Sequence, residues 1–270
     1  MQWSPEELAL KSLNDWWVDA GVTPDQPFSI KKNDSGSRPK NSLNPDPKKK
    51  KTAPLQPRRL KTDQVLEAQK IASGAQSPEE LKQAIAAFKG CDLRTSARST
   101  VVFDGQVNAD IMVICGAPDR EEDKSGIPAS GQAGKLLDRM FAAIGISRND
   151  SLYIASLLPW HMLGERNPDN EEWAICKPFI QRQIELVAPK LIVTIGKMPS
   201  QMLLEKSDSI AKLRGQEFEY THESLAGGIP CFPLQSPQYL LVRPAEKAKT
   251  WQDLQLIQRK ALEIGAIKQS

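Results

Sequence analysis

Residues 109–140 read ADIMVICGAPDREEDKSGIPASGQAGKLLDRM, and this stretch decides the fold. It opens on Ile-Met-Val-Ile-Cys at 111–115, a continuous apolar run. Such a run suits a parallel strand buried on both faces, whereas a half-exposed strand would alternate. The chain then turns at Gly116-Ala117-Pro118, crosses Asp119, Glu121, Glu122 and Asp123, and passes Gly126, Pro128, Gly131 and Gly134. A helical pattern carrying Leu136, Leu137 and Met140 follows. Strand, permissive loop and helix form the first half of a βαβ unit, with the loop placed to wrap a ligand.

The same alternation extends outward. Strands are predicted within 99–105 (STVVFDG), 150–160 (DSLYIASLLPW), 190–196 (KLIVTIG) and 229–237 (IPCFPLQSP). Between them lie helical patterns at 77–88, 133–145, 169–189 (with Asn170 as cap), 197–204 and 244–265. This order predicts a three-layer α/β/α sandwich with a mostly parallel central sheet. Ligands of such sheets sit beyond the carboxyl ends of the strands. That edge would collect residues 115–123, 156–166, 196–199 and 236–243.

The N-terminal part differs in kind. Residues 1–21 predict a helix capped by Ser4, with Pro5 at its first position, Glu7 completing a capping box and Trp16 and Trp17 on its apolar face. Residues 22–61 hold seven prolines and little apolar content, which predicts a disordered linker. Within it, residues 31–61 carry eleven Lys/Arg against two aspartates, a net +9. The whole chain is only +3, so the remainder is mildly acidic. The basic block either touches phosphates or acts as a solvated spacer. The α/β domain is expected over 62–270. No apolar run approaches the ~20 residues that cross a bilayer, and no signal peptide is legible, so a cytoplasmic protein with no membrane partner is expected. The four cysteines form no CxxC pair, which suits free thiols in a reducing compartment.

Local chemistry leaves alternatives open. The acids at 119–123 can position a water, or can serve the dipole of a helix start. The turn at Gly196-Lys197 can receive a phosphate on backbone amides, or can be only a tight strand-to-helix turn. The segment GQAGKLLD lacks the spacing of a phosphate loop, because Leu136 follows Lys135. Ser236, in a loop with Pro237 and Gln238, has no evident His–Asp partners; the chain holds only His161 and His222. His161 follows Trp160 on the presumed ligand edge, whereas His222 sits in a polar stretch.

Taken together, the motifs resemble those of the iron–sulfur, family-four (type-4) uracil-DNA glycosylases, over roughly residues 77–265. The spacing E-D-x-x-G-x-P-x-x-G-x-A-G-x-L-L-D (122–138) is shared without a gap. So are R-N-P-x-x-E-E (166–172) and the C-x-P-F of the following helix (176–179). The segment LNDWWVDAGV also resembles the N-terminus of bacterial members. The resemblance implies enzymes that flip a deaminated base out of DNA and hydrolyse its N-glycosidic bond. It implies DNA as partner, engaged partly through 31–61 and through Gly196, Lys197, Gln238 and Arg243, by a monomer.

The resemblance also implies which positions carry the chemistry, and here they are substituted. The acid that positions water corresponds to Gly116. The base-stacking phenylalanine corresponds to Ala129, in a base pocket shared with Ala117 and Pro118. The asparagine that reads the base edge corresponds to Ser156, and the histidine that stabilises the leaving base to Ser236. Asp119, Glu122 and His161 are the candidate surrogates. The family's [4Fe–4S] cluster takes four thiolates; Cys91 and Cys176 match two, while Phe88 and Trp160 hold the other places. No cofactor is therefore expected, unless Cys115 or Cys231 completes a metal site. Uracil excision is expected to be weak or lost, the alternative being an inactive DNA-binding or protein-interaction module.

Overall fold

The computed structural model describes residues 62–164 and 166–268. The helix expected over 1–21 and the linker expected over 22–61 lie outside the described residues. Six strands form one sheet: β1 (Phe103–Gly105), β2 (Ile111–Cys115), β3 (Leu152–Ser156), β4 (Leu191–Ile195), β5 (Phe218–Tyr220) and β6 (Ile229–Leu234). Their order is β1-β3-β2-β4-β6-β5. The four inner strands run parallel, with Val113 of β2 opposite Ile154 on one side and Val193 on the other. The short edge strands β1 and β5 are antiparallel to their neighbours.

Strand side chains alternate between two cores. Met112, Ile114, Tyr153, Ala155, Ile192 and Cys231 share one core with α1 (Thr62–Gly74), α2 (Pro78–Ala87) and α6 (Asn170–Val187). Ile111, Val113, Leu152, Ile154, Leu191 and Val193 face the other, closed by α5 (Gly131–Ala142), α9 (Pro237–Val242) and α10 (Lys247–Glu263). This is the predicted three-layer sandwich. The remaining helices are short: α3 (Leu93–Ser96), α4 (Arg120–Ser125), α7 (Lys197–Leu203) and α8 (Ile210–Leu213).

Several boundaries differ from the sequence reading. Helix α1 has no readable apolar stripe, since only Ala68 and Ala72 are buried along it; packing on α6 forms it. Strand β5 is three residues long and needs β6 beside it. The cap of α6 is Asp169 rather than Asn170. Its carboxylate accepts the Glu172 amide at 2.8 Å, and Glu172 returns the contact to the Asp169 amide at 2.8 Å. Ser236 lies not in a loop but at the start of α9, where its hydroxyl accepts the Tyr239 amide at 3.3 Å.

Candidate functional site

The carboxyl ends of β2, β4 and β6 open into a cleft of about 900 Å³. Its walls are residues 115–120 after β2, 195–199 after β4 and 236–238 after β6, together with Ala129, Gly134 and Leu137. The loop after β3 adds His161, Met162, Leu163, Arg166 and Asn167. Thus Gly116, Ala117, Pro118, Asp119, Glu122, Ala129, His161, Gly196, Lys197, Ser236 and Gln238 come together as expected.

Two expected residues do not reach the cleft. Ser156 is 2% exposed, lies beneath the rim, and its hydroxyl has no hydrogen-bond partner among the described residues. Arg243 caps the far end of α9 and rests over the Tyr239 ring at 5.7 Å. A third expectation changes in character. The Gly196 amide donates to Leu234 O at 2.7 Å, so it is not free to hold an anion. Gly196 is required there for another reason: its φ is 83°, and a Cβ would lie 3.3 Å from Ser236.

The acids after β2 are structural. Asp119 caps α4 by accepting the Glu121 and Glu122 amides, each at 2.9 Å. Glu122 accepts the Asp119 amide at 2.7 Å and, through its other oxygen, the amide of Ala129. Burial pushes Glu122 up to about 7; the two amide donors and the Arg148 charge pull the other way, and Asp119 adds to the rise. Asp123 turns out of the cleft to accept the Arg98 and Ser99 amides at 2.8 and 3.0 Å. The macrodipole and capping role therefore accounts for these residues.

The loop carrying Ala129 is held from both sides. Ala129 has φ 49°, an uncommon conformation for a residue with a side chain. Glu122 holds its amide, and Arg148 holds its carbonyl at 2.8 Å and that of Pro128 at 3.1 Å. The same guanidinium pairs with Asp104 at 2.7 Å and Asp138 at 3.0 Å. Arg148 sits in a polar stretch with no motif, so nothing in the sequence singles it out. Arg148→Ala should cost about 2 kcal/mol, with the half-exposed carboxylates discounted for solvent screening. Arg148→Lys should recover only part, because an ammonium cannot fork across four oxygens. Chemical denaturation of both variants checks this; wild-type stability in Arg148→Ala would dismiss the clamp.

On the opposite face of the sheet, Phe88, Trp160 and Phe179 pack ring against ring. Phe88 and Trp160 lie 6.3 Å apart and nearly parallel, with Phe179 edge-on at 5.5 and 6.5 Å. The Trp160 indole donates to the Thr100 hydroxyl at 3.1 Å. Cys91 and Cys176 are buried and share a thiol hydrogen bond, which lowers Cys91 and raises Cys176. Cys115 lies on the cleft, and Cys231 is buried in β6, where burial pushes its thiol up to about 12. Among the described residues, no three His, Cys, Asp or Glu side chains converge to hold a metal. Two thiols and two large rings are not a four-thiolate donor set, so these residues do not fit an iron–sulfur cluster.

A parallel sheet with this cleft at its carboxyl edge defines an α/β ligand site, and sequence comparison narrows it. Residues 102–255 match the model of the uracil DNA glycosylase superfamily. The chain belongs to that superfamily. It is 30% identical to the type-4 uracil-DNA glycosylase of Sulfurisphaera tokodaii over 190 residues, covering 69% of this chain and 86% of that one. It is 35% identical to that of Saccharolobus solfataricus over 159 residues, 57% of this chain and 72% of the relative. A stretch of a DNA polymerase from Bacillus phage SP01 is also similar, 26% over 153 residues, covering 57% of this chain and 16% of the polymerase.

Proposed function

We propose that the chain is a uracil-DNA glycosylase-like DNA repair protein that receives a flipped base in the cleft and has little or no uracil-excising activity. One observation carries this reading. The cleft keeps a tightly built frame, yet among the described residues both carboxylates in its wall, Asp119 and Glu122, are engaged in capping the turn after β2. Gly116 has no side chain, both Glu122 oxygens accept backbone amides, and Asp119 accepts two amides through Oδ1. A carboxylate that is accepting two amides in a buried turn is a poor general base, because proton uptake would cost those bonds. The ring cluster around Trp160 supports the further proposal that no iron–sulfur cluster is bound.

The basic residues at 31–61 would add phosphate contacts to those of Lys197, whose exposed side chain lines the cleft. No described helix is long and apolar enough to cross a membrane. We take the protein to act as a cytoplasmic monomer. A second reading, a DNA-binding module without chemistry, draws support from the phage polymerase, in which the similar region is a small part of a longer chain.

The test measures free uracil released from a uracil-containing oligonucleotide at enzyme excess, beside a DNA-binding titration. DNA binding is expected, with release slower than that of a type-4 relative by a factor of about 100 or more, the usual effect of losing one charge-stabilising group. Release at the relative's rate overturns the proposal.

A further inference from the structure

His161 lies in the cleft wall, and its Nδ1 stands 2.7 Å from Pro118 O in the turn after β2. A carbonyl oxygen only accepts, so Nδ1 must donate and carries the proton in both charge states of the ring. In the neutral ring Nε2 is then a lone-pair acceptor, with no hydrogen-bond partner among the described residues. Tertiary contact has thus fixed the tautomer of the one histidine on the cleft.

Deamination changes the base edge at the atom that such an acceptor would read. Cytosine presents a lone pair at N3, and uracil presents N3–H there. Adenine presents a lone pair at N1, and hypoxanthine presents N1–H. An acceptor fixed in place pairs with the deaminated base and opposes its parent. We propose that His161 Nε2 is the base-discriminating acceptor of this cleft, selecting bases with a lactam N–H over cytosine or adenine. This rests on the reading that the cleft receives a base flipped from DNA.

Among the described charged groups facing the cleft, only Asp119 keeps an acceptor, Oδ2, without a hydrogen bond, and the variant at 161 separates it from His161. Asp119 and Glu122 are held by backbone amides, and Arg166 is forked onto Glu172 with two 2.6 Å bonds. Arg120 and Lys197 are cations, and burial pushes the Cys115 thiol well up, so it stays neutral.

The test is competition binding of single-stranded oligonucleotides that differ by one uracil or one cytosine, so that base-pairing energy drops out. At about pH 8 the uracil strand should bind roughly 10-fold tighter, the worth of one hydrogen bond against one unpaired lone pair. His161→Asn can keep the donor to Pro118 O but places nothing at Nε2. It should bind both strands equally, with folding unchanged by circular dichroism. Equal binding by the wild type at about pH 8 overturns the inference, and so does a preference that survives in His161→Asn. Failure to bind either strand overturns instead the reading of the cleft as a base site, and this inference with it.

Discussion

Trp160→Ala is expected to lower the melting temperature by roughly 10 °C, since deleting a fully buried aromatic costs about 4 kcal/mol and each kcal/mol shifts a domain of this size by about 2–4 °C. The side chain is completely buried, and its ring contacts both Phe88 and Phe179. Deletion would leave a cavity between rigid rings that cannot collapse into it, and would leave the Thr100 hydroxyl without its donor. Trp160→Phe keeps a ring in the stack and loses the indole bond, so about 1–2 kcal/mol is expected. Calorimetric scans of the two variants check the ranking. A shift under about 3 °C for alanine would show that the rings do not hold this side of the fold. The consequence reaches the cleft, because the residue after Trp160 is His161. An anchored indole fixes the backbone from which the imidazole meets Pro118 O.

Gly134→Ala is expected to destabilise by at least about 3 kcal/mol, a large effect for one methyl group, because overpacking against rigid backbone has no cheap relaxation. A Cβ on Gly134 would lie 1.7 Å from Ala129 O and 2.4 Å from Ala129 C. Helix propensity alone would favour alanine over glycine by about 1 kcal/mol, so the sign of the result distinguishes the clash from propensity. The Ala129 carbonyl cannot retreat, since Arg148 holds it at 2.8 Å. Either α5 moves off the sheet or the loop leaves the cleft. Gly74→Ala, where a Cβ meets nothing within 4 Å, is the control and should be near neutral. Equilibrium urea unfolding of both proteins gives the comparison. Equal stability for Gly134→Ala and wild type would remove close approach as the reason for glycine at this position.

The residues that the resemblance places at the family's chemical positions are legible in sequence, but their surroundings are not. Gly116 and Ala129 both line the cleft, as the motif spacing implies. Ser156 is in register beside Cys115 at the end of its strand, yet its short side chain stays buried and unpartnered. Asp119 and Glu122 suit replacement of a lost acid when read as letters in a loop. In the fold Glu122 is spent on helix capping and on the Ala129 loop, and Asp119 Oδ1 on helix capping. Helix α9 was hidden because six residues carry too little periodicity to separate from a loop.

The sequence by itself determined the layers of this protein. Apolar runs of five residues, Gly and Pro punctuation and capped amphipathic helices are local signals, and burial on both faces of a parallel strand leaves them little choice. Only the tertiary structure decided which polar groups remain available in the cleft. Arg148 reaches Ala129 across 19 positions and His161 reaches Pro118 across 43. A hydrogen bond is short-ranged in space and indifferent to separation along the chain, so partners chosen by the folded path of two loops leave no mark in the spacing of either.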